Sequence, residues 1–474
     1  MEMAASSKRK RSLYEEEDLV DRISGLPDDV LGDIVSLLPT MDGARTQILS
    51  SRWRHIWRSA PLNLDLVDLA EEKYQCVSAG ETSRILSAHQ GPGRRFRTEL
   101  QYLDLHSRRP AAVLNGWLRS PALDNLQELE FHYGYRFPRG FRPLPPPPRL
   151  PASVRRFSST LRVASFAGCR FSKKKPGALH LPVLKQLSLV HAAISESSLD
   201  ALLAGCPVLQ RLLLSYNSGY SRVRIVSRTL ISIGVFPASP DGRRQHLILE
   251  DAPCLERLLI FPYATGYTYI KIMDISIISA PKLDVLGPLN YDLSRLEVGT
   301  TVFEGPRLVS FTTVARSVKI LALQNEQISL DVVINFMKCF PCLVKLYIKM
   351  AGSKNGWSRE YHNFVMTHDI RLKKVVLLNY QDNKDHVNFA KFFVLNAKVL
   401  ESMVLELEKG ITLSTEWIER QHKRLHTKNR ASRGAEFDFV DHDSLPGLSG
   451  YVNEAQAHDL SMADPFVEFC AWSI

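Results

Sequence analysis

The chain contains no run of ~18 uncharged apolar residues, the length that a bilayer crossing requires. Residues Met1 to Val20 are polar and charged, with no apolar core of the kind a secretory signal carries. Both absences predict a protein of the nucleus and/or cytoplasm, not a secreted one. Cysteine is sparse: seven in 474 residues, an odd number at scattered positions. This argues against a disulfide framework and predicts reduced thiols. Sequence signatures of catalysis are missing too. There is no glycine-rich phosphate loop, no G-x-S-x-G elbow and no H-E-x-x-H pair. Cys339-x-x-Cys342 is the one close cysteine pair, and it encloses Pro341. Zinc sites usually add a second pair or nearby histidines. Between metal binding and burial as small hydrophobes, the position of this pair beside a repeat junction favours burial. His368-Asp369 and Asp441-His442-Asp443 lack a convergent third partner in sequence. The expectation is therefore no catalytic residues, no metal and no cofactor.

What is present is globular in composition, with 45% hydrophobic and 23% charged residues. The length implies several domains or one extended repeat array. The net charge of +10 is uneven: residues Gly91 to His180 hold 17 Lys/Arg against 5 Asp/Glu, a local +12 that leaves −2 for the rest. Two readings stay open, scattered solubilising arginines or a field that attracts an acidic or phosphorylated partner.

The first 20 residues are expected to be a disordered tail in which the basic run Lys8-Arg9-Lys10-Arg11 precedes Glu15, Glu16, Glu17 and Asp18. The run is a nuclear import candidate, although such runs also arise by chance. From 21 to 60 the pattern is helical. Pro27, Asp28 and Asp29 suit a first helical turn, since proline has no N–H to leave unpaired and the carboxylates oppose the helix dipole. Val30, Leu31, Ile34, Leu37 and Leu38 follow as one apolar stripe, which Pro39 stops. A second helix is predicted from about 42 to 49. A third, capped by Ser50, carries Trp53, Ile56 and Trp57 on one face. So small a unit has a thin core, and the two tryptophans are expected both to pack it and to present an edge outward.

The body repeats an apolar-x-x-apolar-x-apolar pattern. Copies read Leu100, Leu103, Leu105; Leu126, Leu129, Phe131; Leu161, Ala164, Phe166; Leu184, Leu187, Leu189; Leu209, Leu212, Leu214; and Leu230, Ile233, Val235. They continue at Leu255, Leu258, Ile260; at Leu283, Leu286; then from Val318, Leu343, Leu372 and Leu400. Leu308, Phe311 and Thr313 lie only ten residues before Val318, so one of those two copies is out of register. The spacing matches the ~20–29-residue period of leucine-rich repeats. The last two apolar positions alternate along a short inward-facing strand, and stacking shares one core between units that cannot bury a face alone. Residues 197–203 supply a helix behind the strands. The proline run Pro145-Pro146-Pro147-Pro148 predicts an exposed loop, a linker or a ligand for a proline-binding groove. Strand, helix, strand is predicted at about 369–407, and 408–474 is unassigned.

Asp21 to Trp57, running Asp-Arg-Ile-Ser-Gly-Leu-Pro-Asp-Asp-Val-Leu and ending Leu-Ser-Ser-Arg-Trp-Arg-His-Ile-Trp, resembles a plant F-box. With the repeats and the segment from Leu372 to Met403, the chain resembles the plant F-box/leucine-rich-repeat/FBD family. His89-Gln90-Gly91-Pro92 and Phe157-Ser158-Ser159-Thr160-Leu161 fit its grass members. The resemblance implies an α/β architecture, in which a three-helix F-box precedes an irregular leucine-rich-repeat solenoid with a parallel β-sheet on its concave face. Its parts are a tail (1–20), F-box (21–60), repeats (90–360), FBD-like segment (365–407) and the unassigned remainder (408–474). It also implies a non-catalytic substrate receptor of an SCF-type ubiquitin ligase that binds a Skp-type adaptor, and through it a cullin–RING ligase. Adaptor contacts carried over by this match are Leu26, Pro27, Ile34, Leu38, Pro39, Leu49, Trp53 and Trp57. Ser51 stands where many members have a basic residue, a departure that bears on adaptor affinity. The target is a protein of unknown identity, met on the strand side near Lys185, Gln186, Gln210, Arg211, Glu256 and Arg257. Two alternatives remain, a nucleic-acid-binding protein, raised by the pI of 9.2 but without a nucleic-acid motif, and a non-degradative scaffold.

Overall fold

The computed structural model describes residues 23, 25–67, 77–100, 103–104, 110–134, 146–172, 179–236, 244–261, 273–290, 293–305, 307–324, 329–350, 369–441, 457–461 and 463–466. The basic run Lys8 to Arg11, Pro145 of the proline run, His368, and His442 with Asp443 lie outside them. No helix among the described residues is long and apolar enough to cross a membrane.

At the N-terminal end, α1 (Asp28–Leu37) begins directly after Pro27, with Asp28 and Asp29 in its first turn. It stops before Pro39, whose missing N–H and fixed φ do not continue a helix. Next, α2 (Thr40–Arg45) begins two residues earlier than the sequence predicts and hands over to a 3-10 turn at Thr46–Ile48. Last comes α3 (Ser51–Ser59), where Ser50 holds the cap position without a capping side-chain bond. Leu31 and Val35 of α1 pack on Trp53 and Ile56 of α3, with Leu26 and Trp57 at the margin. Arg52 locks the two helices by donating from Nε to Asp28 Oδ1 at 2.8 Å and from Nη2 to the Leu26 carbonyl at 2.6 Å.

These helices are joined tightly to the first strands. Thr40 Oγ1 donates to the Asn63 carbonyl at 3.1 Å and accepts from the Asp65 amide at 2.8 Å. Arg94 Nη1 donates to Ser36 Oγ at 2.9 Å. The amides of Gln90 and Gly91 both reach the Arg58 carbonyl, and a Cβ at Gly91 would stand 2.1 Å from the Ala60 oxygen. Only glycine lets the two backbones come this close.

Among the described residues, fourteen parallel strands form one sheet, starting at Leu62–Asp65 and Gly93–Glu99 and ending at Ser402–Leu407 and Glu436–Val440. Apart from the copies at Leu283 and Leu308, every predicted triplet from Leu126 onward places its last two residues on one of these strands. The register aligns equivalent positions, so that Leu187, Leu212, Ile233, Leu258, Leu286, Leu321, Leu346, Val375 and Met403 stack as one buried column. Behind this column the chain returns in two ways. Helices Glu196–Ala204, Leu330–Cys339, Lys384–Asn396 and Thr415–Leu425 each start at a Ser or Asn whose side chain caps a free amide. Between Arg222 and Ser310 the return is instead a six-stranded sheet, whose Ile225, Leu249, Ile277 and Leu296 face the same core.

Two sequence expectations are corrected. Of the Leu100, Leu103, Leu105 copy, Leu105 lies outside the described residues, and Leu100 and Leu103 are not on a strand of the large sheet. Gly93–Glu99 takes that place through Phe96, and Leu103–Asp104 pairs with Val77–Ser78 in a separate two-stranded ladder. Of the overlapping copies, Val318 is in register, whereas Leu308 belongs to the antiparallel strand Arg307–Ser310 of the second sheet.

Removing one rung of the column deletes buried methyl groups and leaves a void. Leu258→Ala should therefore destabilise the protein by ~2–5 kcal/mol. Val226→Ala, on an exposed side chain of the second sheet, should change stability by less than about 0.5 kcal/mol. Urea denaturation of the two variants checks this, and equal effects would contradict the stacked column.

Candidate functional site

Two surfaces on this frame lack the ordinary polar character of a protein exterior. The first is the outer side of the helical unit. The apolar residues of α1 divide into two stripes: Leu31 and Val35 face the core, while Val30, Ile34 and Leu37 face outward. Their spacing, three and four residues apart, places them on one line along the helix. The 3-10 turn adds Ile48 and Leu49, 84% and 63% exposed, and Ile34 is 42% exposed. An apolar cluster that nothing covers among the described residues, on so small a unit, marks a contact surface.

Of the residues assigned to adaptor binding from sequence, Pro27, Ile34, Pro39 and Leu49 are exposed, and Leu26, Leu38 and Trp57 are half-buried. Trp53, at 9% exposure, fills the core between α1 and α3. Trp57 turns toward the first repeat, its ring edge-on to His89 at 6.0 Å. The tryptophans therefore hold the helices together, and the outward surface is aliphatic. Sequence reasoning missed Val30 and Leu37 as surface residues because it merged both stripes into one, and it passed over Ile48. An apolar arc too wide for one buried face was the available signal.

The second surface is the strand face opposite the leucine column. At the end near the helical unit it is charged: Arg97 Nη1 lies 3.3 Å and Arg95 Nη2 3.7 Å from Asp65 Oδ2, with Glu130 beside both arginines. Burial raises the Glu130 carboxyl above its ordinary value, and the two arginines oppose that shift. Part of the basic window is thus neutralised within the fold. Farther along, this face is apolar. Leu213, Phe236, Leu259, Phe261, Ala322, Tyr347, Val376 and Leu378 form a second buried cluster that includes Ala457 and Phe466 from the C-terminal region. The sequence carries a sign of this. Runs such as Leu212-Leu213-Leu214 and Leu258-Leu259-Ile260 are apolar at consecutive positions, as in strands covered on both sides.

Residues 457–461 and 463–466 supply the cover. Ser188 Oγ and His458 Nε2 are 2.7 Å apart, and Arg211 Nη1 donates to the His458 carbonyl at 2.9 Å. Ser232 Oγ donates to the Ala457 carbonyl at 2.9 Å. Arg257 donates to the carbonyls of Asp459 and Leu460 at 2.8 and 3.3 Å. Asp464 Oδ2 accepts from Lys345 Nζ at 2.7 Å and from Tyr347 Oη at 2.8 Å. Of the six target-side residues expected from sequence, Arg211 and Arg257 thus meet the chain's own C-terminal region, and Gln186 lies beside Arg211. Lys185, Gln210 and Glu256 sit just before the strands, where their carbonyls receive amides of the next repeat. Ser188, Ser232, Lys345, Tyr347 and the whole C-terminal contribution were not foreseen. Burial first, then the Arg211 charge, pushes His458 down to about 4.

A family profile for the F-box domain matches residues 23–65. One described as "FBD-associated F-box protein At5g56370, LRR repeats" matches 114–348, and one for FBD matches 369–405. The putative FBD-associated F-box protein At3g50710 of Arabidopsis thaliana is 30% identical over 244 residues, covering 50% of this chain and 54% of that protein. The putative F-box/LRR-repeat protein At3g28410 of the same plant is 29% identical over 205 residues, 42% of this chain and 38% of that protein. In these two comparisons the chain spans about half or less of the relative's length. The FBD-associated F-box protein At5g27750, also of Arabidopsis thaliana, is 26% identical over 440 residues, 81% of this chain and 92% of that protein.

His458 has a depressed pKa in the folded state, so its contribution to stability is complete above the unfolded value of ~6.5. It is lost as pH falls from there toward 4, because only the unfolded chain takes up the proton. The facing groups on the sheet are the Ser188 hydroxyl and the Arg211 guanidinium. The urea midpoint should fall between pH 7 and 5, and His458→Gln should flatten that fall. Identical profiles for the two proteins would rule out a buried neutral His458.

Proposed function

Because the chain belongs to the plant family of F-box proteins with leucine-rich repeats and an FBD segment, we propose that it is the substrate-recognition subunit of an SCF-type ubiquitin ligase. The observation that carries this reading is the uncovered aliphatic surface of Val30, Ile34, Leu37, Ile48 and Leu49 on the F-box helices. A Skp-type adaptor docks there and links the chain to a cullin and a RING subunit. Residues 21–60 are the docking module and residues 90–360 the target-binding array, with 365–407 continuing it. In this reading the stacked parallel strands curve as a leucine-rich-repeat solenoid, with the face opposite the leucine column on its concave side.

The chain works by proximity and not by catalysis. One end is fixed to the ligase and the strand side holds a protein target, so that a target lysine stays near the charged conjugating enzyme. The protein acts in the nucleus and/or cytoplasm, where the ligase components are met.

Large interface side chains commonly cost about 2 kcal/mol or more on truncation. Introducing charge at two of them, Ile34→Asp with Leu49→Asp, should reduce co-purification of a Skp-type adaptor by more than tenfold. Both side chains are exposed, so the circular dichroism spectrum should not change. Trp53→Ala should instead unfold the helical unit. Normal adaptor capture by the Ile34→Asp/Leu49→Asp chain would refute the docking assignment.

A further inference from the structure

The strand face holds residues 457–461 and 463–466 by a mixture of contacts that belongs to peptide recognition. Toward the start of the segment the sheet addresses the main chain. Ser232, Arg211 and Arg257 donate to four successive carbonyls, those of Ala457, His458, Asp459 and Leu460. Ala457 and His458 are helical and Asp459 and Leu460 follow them, so these carbonyls are of the kind a helix end leaves without a partner. Contacts of this kind read no side chain, because every residue has a carbonyl. Arg257 is itself buried beneath the segment. Toward the end the sheet addresses side chains. Lys345 Nζ and Tyr347 Oη converge on one carboxylate, that of Asp464, and the Phe466 ring lies 5.6 Å from the Tyr347 ring. Gly234 leaves a gap where a Cβ would come within 2.6 Å of Ala457 Cβ, so a small residue is selected there. These contacts bridge strands from Gln186–Val190 to Lys345–Lys349.

The segment is also separable from the frame it covers. The leucine column and its helices close their own core without it, and its apolar members Ala457 and Phe466 belong only to the second cluster. In the chain it follows the last strand of the sheet, Glu436–Val440, yet it lies over strands from the middle of the array.

We propose that this face is a binding channel for a protein segment that leaves a helix end and turns, with a carboxylate residue followed two positions later by an aromatic one, and that residues 457–461 and 463–466 occupy it as a resident mimic. The proposal deepens the target-receptor reading above and rests on it. A target segment carrying the carboxylate and the ring takes the place of Asp464 and Phe466 and displaces the resident one. An occupant tethered to the same chain competes at an effective concentration on the order of mM. A single weak match on an unrelated protein is therefore excluded, and a target must bind tightly or at more than one point.

The test uses the full chain and a fluorescent peptide with the sequence of residues 457–466. Asp464→Lys with Phe466→Ala, made in the full chain, places a cation against Lys345 and removes the ring. The peptide should bind this variant at least tenfold more tightly than the unaltered chain in anisotropy titrations. Adding Lys345→Glu to the variant should weaken peptide binding at least tenfold. Equal binding by variant and unaltered chain would overturn the proposal. So would loss of cooperative unfolding in the variant, since an exchangeable occupant cannot be required by the fold. Skp-type adaptor capture, measured on the same preparations, reports separately on the receptor reading and should be unchanged.

Discussion

A five-residue parallel strand is stable only when its leucine face is shielded and its edges are paired. That requirement organises this protein. Edge pairing is met by stacking one repeat on the next, so that, among the described residues, only the strands at Leu62–Asp65 and Glu436–Val440 of the large sheet have an open side. One face is shielded by the leucine column and by the helices or second-sheet strands behind it. The other is shielded unevenly, by paired charges near the F-box and by the chain's own residues 457–461 and 463–466 across the middle. Each repeat depends on its neighbours for cover, and across the middle repeats the face opposite the leucine column carries a segment far away in sequence.

The leucine column was legible because its signal is local and redundant. From Leu126 to Leu405 each unit except the one at Leu283 carries the same spacing, and parallel pairing converts that spacing into register. The first repeat was misread for the same reason. Leu100, Leu103 and Leu105 imitate the pattern, whereas the true strand is rich in arginine and buries Phe96 and Thr98. The return path between Arg222 and Ser310 was not foreseen as a sheet. Its alternating residues, as in Arg-Val-Arg-Ile-Val, are a strand signal, but the strong leucine period drew attention away from the intervals between copies.

The candidate sites were legible in proportion to how local their causes are. F-box residues lie within forty positions of one another, and their helices follow from capping and proline placement. Which side each residue faces was harder to assign, since Val30 and Leu31 are adjacent and equally apolar, and only packing against Trp53 separates them. Ser188 and His458 stand 270 residues apart in sequence. No periodicity connects such a pair. The one sign was indirect, the apolar residues at consecutive strand positions that demanded a cover the repeats themselves do not provide.

The joint at Arg58, Ala60 and Gly91 has a further consequence. A backbone approach that admits no side chain leaves the F-box little freedom to swing against the first strand. Beyond it, adjacent strands sit ~4.8 Å apart. The array therefore behaves as a ruler fixed at one end. A ligand seated at Arg257, on the eighth strand of the order, stands at a height counted in whole strands from the docking helices, and gaining or losing one repeat would move that height by one graduation.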